Sequence, residues 1–84
     1  MRKTKTKQAD ESHMIAVNIS YLQNLRHVTD ERCAIACGFS EQTWQRRMHN
    51  PGKFTFEELQ SIANLLNCSP QRIMFGRLEA GMPV

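Results

Sequence analysis

Eighty-four residues, with 40% hydrophobic and 23% charged side chains, suit one globular domain with a single core and are too few for two. The formal charge of +3 is unevenly placed: Arg2, Lys3, Lys5 and Lys7 give the first nine residues +4 without an acid, and the remainder carries −1. No apolar run approaches the ~20 residues of a membrane span, and no apolar stretch follows the basic N-terminus as a secretory signal requires, so a cytoplasmic location is expected.

Residues 1–11 read as a flexible basic arm, serving either as a solvated leader or as a phosphate-binding segment. Residues 12–80 form the expected folded domain, and residues 81–84 a frayed end. From Ser12 to Arg26, the residues Ile15, Ile19, Leu22 and Leu25 recur at three- and four-residue intervals, with Tyr21 on the flank. That spacing predicts a first amphipathic helix. Thr29 is placed to cap a second helix, with Asp30 and Glu31 at the positive end of its dipole. This helix turns Cys33, Ala34 and Cys37 inward and ends at Gly38, which enters the left-handed conformation without steric cost.

Only Phe39 and Ser40 separate Gly38 from a third helix, capped by Ser40 and buried through Trp44 and Met48. Asn50-Pro51-Gly52 breaks it. Thr55 and Glu58 make a capping box for a fourth helix, with Phe54 stapled onto Leu59 and an apolar stripe of Leu59, Ile62, Ala63 and Leu66. Asn67 is its expected C-cap. Ser69-Pro70 starts a short fifth helix with Ile73 and Met74 inward. The prediction is an all-α, compact bundle of five helices with no strand.

Three cysteines cannot all pair within one chain. Cys33 and Cys37 lie one helical turn apart, which suits a packing face. A metal site would need Cys33, Cys37, Cys68 and His27 or His49, and the paired short spacings of a zinc module are missing. No metal and no cofactor are expected. Catalysis is not expected either, because no nucleophile elbow, phosphate-binding glycine loop or paired metal motif occurs.

With Trp44 and Met48 buried, the outer face of the third helix carries Ser40, Glu41, Gln42, Gln45, Arg46 and His49. Glutamine can bond an adenine edge and arginine a guanine edge through two parallel hydrogen bonds. The same polarity also serves solubility on any amphipathic helix.

The order of residues from Leu22 to Met74 resembles the helix-turn-helix domains of the Cro and lambda-repressor type, often called the XRE family. The likeness is carried by Leu22, Leu25-Arg26, Val28-Thr29, Ala34, Gly38-Phe39-Ser40, Thr43-Trp44 and Arg46. It continues through the run Phe54 to Leu59, then Ile62-Ala63, Leu66-Asn67 and Ser69-Pro70. The resemblance implies a lambda-repressor-like five-helix bundle that binds double-stranded operator DNA in the major groove and regulates transcription, often as a dimer. Carried over by position, it assigns base contacts to Ser40, Gln42, Gln45 and Arg46. Backbone contacts fall to Arg47, His49, Lys53 and Thr29, with Arg2, Lys3, Lys5 and Lys7 of the arm added.

Three departures from the family pattern stand out. Asp30 occupies a position where the family often has glutamine near the DNA backbone, and an acid there repels phosphate. The connection from Arg26 to Thr29 is short, which predicts an early end or a tilt of the first helix. Arg47 and Met48 replace the usual apolar residue followed by glutamate, leaving Arg47 free for phosphate. The Arg46-to-Pro51 segment is similar to a phage-like subgroup, which suggests a mobile-element origin. Met74, Phe75, Leu78 and Met82 suit either an exposed patch for a homodimer through the C-terminal helix or, equally, a cover for the core of a monomer, with the dimer slightly favoured. The competing reading is a protein-interaction module, such as an antitoxin or anti-repressor, built on the same fold.

Overall fold

Residues 2–26 contain neither glycine nor proline, and their lysines, glutamines and alanine are good helix formers. In the computed structural model the first helix, α1, accordingly runs unbroken over Arg2–Arg26. It begins ten residues before the expected start at Ser12, so the segment read as a flexible arm has a helical backbone from Arg2 onward. The structure describes the backbone of residues 2–78 and the side chains of residues 12–78. The side chains of Arg2, Lys3, Lys5 and Lys7, and the expected frayed end at 81–84, lie outside the described residues.

The remaining elements are α2 (Asp30–Cys37), α3 (Glu41–His49), a single 3-10 turn (Pro51–Lys53), α4 (Phe56–Leu65) and α5 (Pro70–Phe75). The chain is a compact all-α bundle of five helices. One core joins them, built on Ile19 and Leu22 of α1, Cys33 and Ala34 of α2, and Trp44 of α3, closed by Leu59, Ile62, Leu66 and Ile73. Phe54 tilts against the Trp44 ring with centroids 5.7 Å apart, which ties the loop after α3 to the centre of the molecule.

The inward face of α1 differs from the expected stripe at its last turn. Leu25 is 54% exposed, while Ala16, Asn18 and Gln23 are buried. At about 100° per residue, Leu25 falls outside the arc centred on Ile19, and Arg26 falls within it. Arg26 resolves the conflict by extending past the core, where its Nε donates to the Leu66 carbonyl at the end of α4 (3.1 Å).

Three helices end in the same way. At Gly38 (φ 75), His27 (φ 58) and Asn67 (φ 60) the chain turns left-handed. The amide of the following residue then reaches back five positions, Phe39 to Ala34, Val28 to Gln23 and Cys68 to Ala63, at 2.8–2.9 Å. The short connection after Arg26 is thus accommodated without shortening α1. Asn67 sits one residue beyond the α4 cap, which is Leu66. A side chain costs ~1–2 kcal/mol in the left-handed region, and part of that gain is returned when glycine frees the unfolded chain. His27→Gly should therefore raise stability by up to about 1 kcal/mol, measured as a rise of several degrees in Tm.

The caps behave as the sequence predicts at three of four starts. Thr29 Oγ1 accepts from the Arg32 amide, Ser40 Oγ from the Thr43 amide, and Thr55 with Glu58 forms the capping box. Ser69 occupies the cap position of α5 but its hydroxyl makes no cap bond. Pro51 is buried and Gly52 lies against α1, where a Cβ would stand 3.2 Å from Ser12 Oγ. The turn after α3 is therefore docked onto the first helix.

The C-terminal anchor rests on a residue that periodicity did not single out. Asn18 is fully buried. Its Nδ2 donates to the Ile73 and Gly76 carbonyls (2.9 and 2.8 Å), and its Oδ1 accepts from the Leu78 amide (3.2 Å). This fastening turns Leu78 into the core at 5% exposure, and Met74 packs against the same core. The expected dimer patch is corrected accordingly: among the described residues of that patch only Phe75 is largely exposed, at 65%, and Met82 lies outside them.

Candidate nucleic-acid interface

The helix pair α2–α3 is joined by the three-residue turn Gly38–Ser40, with Phe39 half-buried against the core. Trp44 is fully buried and Met48 partly so, which fixes the rotation of α3. From that anchor, about 100° per residue places Gln42, Arg46 and His49 within one outward arc roughly 60° wide. All three are exposed. Gln45 is also exposed but stands at the edge of this arc, toward α1.

The eight site residues with described side chains do not form one equivalent set. Among the described residues, no side-chain hydrogen bond engages Gln42, Arg46 or Lys53. Thr29 and Ser40 are both exposed caps. The Ser40 hydroxyl accepts from the Thr43 amide and donates to Thr43 Oγ1 (3.1 and 3.0 Å), so its proton is already committed. His49 Nδ1 lies 2.8 Å from the Gln45 carbonyl, which leaves Nε2 as the outward nitrogen.

Arg47 is the clear correction. It is not free for phosphate: Nη1 pairs with Glu58 Oε1 at 2.6 Å, and the guanidinium lies 4.7 Å from the centre of the Phe39 ring. The same Glu58 oxygen accepts from the Thr55 amide in the α4 capping box (2.9 Å). One carboxylate thus closes the start of α4 and holds the end of α3. Sequence spacing alone does not bring positions 47 and 58 together, because a loop and a change of helix intervene.

Asp30 also has a different role from the one its position suggested. Its carboxylate turns inward and receives three donors: Gln23 Nε2 (2.9 Å) and Trp44 Nε1 (3.0 Å) on Oδ1, and Gln45 Nε2 (3.0 Å) on Oδ2. The Gln23 bond leads in holding this carboxyl below the usual range; partial burial opposes the shift, and the Trp44 and Gln45 bonds add to it. The carboxylate keeps its charge, but its two oxygens are engaged by donors from α1 and α3. Gln23 itself is buried and also donates to Cys33 Sγ (3.5 Å).

A cleft of about 580 Å³ runs between α1 and α3, with Val17, Tyr21 and His13 on one wall, Gln45, Met48 and His49 on the other, and Asp30 at the base. Cys33 lies in the core, and Cys37 and Cys68 pack against it. Burial pushes the Cys33 and Cys37 thiols up to about 11, which keeps them protonated near neutrality. Among the described residues, no helix is long and apolar enough to cross a membrane.

No family model, curated protein or solved structure matches the chain significantly.

Proposed function

We propose that this protein binds double-stranded DNA by placing α3 in the major groove, as a small repressor-like transcriptional regulator of phage or mobile-element type acting in the cytoplasm. The observation that carries the reading is the outward arc of Gln42, Arg46 and His49. It joins an adenine-suited amide, a guanine-suited guanidinium and an imidazole on a helix whose opposite side is locked by Trp44. The resemblance of residues 22–74 to Cro and lambda-repressor-type domains supports the same docking. Gln42 and Arg46 are the principal base readers. Gln45 and Ser40 are secondary, because each already bonds within the protein. Thr29, Lys53 and His49 supply backbone contacts, and Phe75 is the exposed residue around which a homodimer on a two-fold site would form.

Selection from random duplexes, followed by mobility shift at two salt concentrations, tests the reading. Enrichment of one short sequence that persists at the higher salt is expected. Binding to no duplex at either salt would replace this reading with the protein-interaction module.

The first nine residues carry +4 and the rest −1, so phosphate neutralisation should rest heavily on the N-terminal end of α1. Replacing Arg2, Lys3, Lys5 and Lys7 by alanine should flatten the plot of log affinity against log salt by up to about 3–4 units, since each phosphate contact contributes ~0.9. Base preference should be unchanged. An unaltered slope would leave these cations with no part in binding.

A further inference from the structure

Three helices meet at the Asp30 carboxylate, and two of its three donors come from α3. Those two, Trp44 Nε1 and Gln45 Nε2, belong to consecutive residues, which project about 100° apart around the helix axis. A single carboxylate that binds both constrains the rotation of α3 and its sliding along its own axis together. Trp44 has no solvent exposure, so its indole N–H has no water to turn to. The third donor, Gln23, is itself buried and ties the assembly to α1.

Building on the proposed DNA binding, we infer that Asp30 is a positioning residue that sets the angle at which α3 presents Gln42 and Arg46, and so governs base selectivity more than affinity. On a helix about 5–6 Å in radius with side chains, a rotation of ~20° carries a side-chain tip about 2 Å. Two parallel hydrogen bonds to a base edge do not survive that displacement. Contacts to phosphate position a protein without reading sequence and tolerate it far better. The acid that appears unfavourable beside DNA is thus retained for its two acceptor oxygens. Asparagine would keep one acceptor and turn an NH₂ group toward a donor.

The experiment compares the native chain with Asp30→Asn by measuring affinity for the selected duplex and for a scrambled duplex at low salt. The ratio of the two should fall at least about tenfold in Asp30→Asn, the scale of losing one base contact. Affinity for the scrambled duplex should hold or rise by up to a few-fold, because one negative charge near the phosphates is removed. Gln23→Met and Trp44→Phe each remove one donor to Asp30 from a buried side chain off the base-reading face, and should lower the ratio in the same direction if Asp30→Asn fails to fold. A proportional loss on both duplexes in the folded variants would make Asp30 merely structural and overturn the inference. So would a ratio that stays at the native value, while the DNA-binding reading survives. Failure of the native chain to prefer any duplex would remove both.

Discussion

Replacing Asn18 by leucine should destabilise the domain by about 3 kcal/mol or more, because the substitution orphans three buried backbone groups at ~1–3 kcal/mol each. Asn18 is the sole fully buried amide among the described side chains, and its two ends satisfy the Ile73 and Gly76 carbonyls and the Leu78 amide. Leucine matches the side chain in size and supplies apolar surface, so the loss reports the hydrogen bonds and not a cavity. A domain of this length holds about 4–12 kcal/mol in total, and the loss is a large share of it. Urea unfolding followed by circular dichroism measures the change. Asn18→Asp provides a second check at pH 7, where a carboxylate facing two carbonyls should be worse than leucine. A loss below about 1 kcal/mol in Asn18→Leu would mean that the tail after α5 contributes little to the fold.

The second large effect concerns DNA. Gln42→Ala combined with Arg46→Ala should remove about 2–6 kcal/mol from specific binding, at ~1–3 kcal/mol for each lost bidentate contact. The upper part of that range reduces a specific affinity to the non-specific level. Both side chains are exposed, and among the described residues neither makes a side-chain hydrogen bond, so the melting temperature should stay within a degree or two. Arg47→Ala should behave in the opposite way. It breaks the pair with Glu58 and the stacking on Phe39, so stability should fall by about 1–2 kcal/mol while DNA affinity changes less than about threefold. A mobility shift on the selected duplex, run beside a thermal melt, separates the two. If Arg47→Ala instead weakens binding as strongly as the double variant, the assignment of readers along α3 is wrong. If the double variant binds DNA normally, α3 is not the reading element.

The contrast between Arg46 and Arg47 also marks what a linear pattern can convey. The helix starts at Thr29, Ser40 and Thr55 were legible because a cap acts over three residues, and the three acceptors are where spacing put them. The end at Gly38 was legible because glycine is the residue suited to that φ. The left-handed turn at His27 was not, since nothing in the side chain announces it. The apolar stripe placed Ile19, Leu22, Trp44, Leu59 and Ile62 in the core, as periodicity requires. It also put Leu25 there, because a three-residue step from Leu22 drifts around the helix and carries Leu25 out of the arc centred on Ile19. The apolar period takes no account of polar residues, so it did not single out Asn18 or Gln23. Both are buried because another segment delivers backbone or side-chain partners to them.

By itself the sequence determined the helical class, the breaks between helices and the face of α3 that turns outward, since propensity, capping and amphipathic period are all local. Tertiary structure decided which groups on that face remain available. Arg47 and Asp30 lost their expected parts to Glu58, Gln23, Trp44 and Gln45, partners 7 to 15 positions away, because side chains of opposite polarity meet only once the helices have packed.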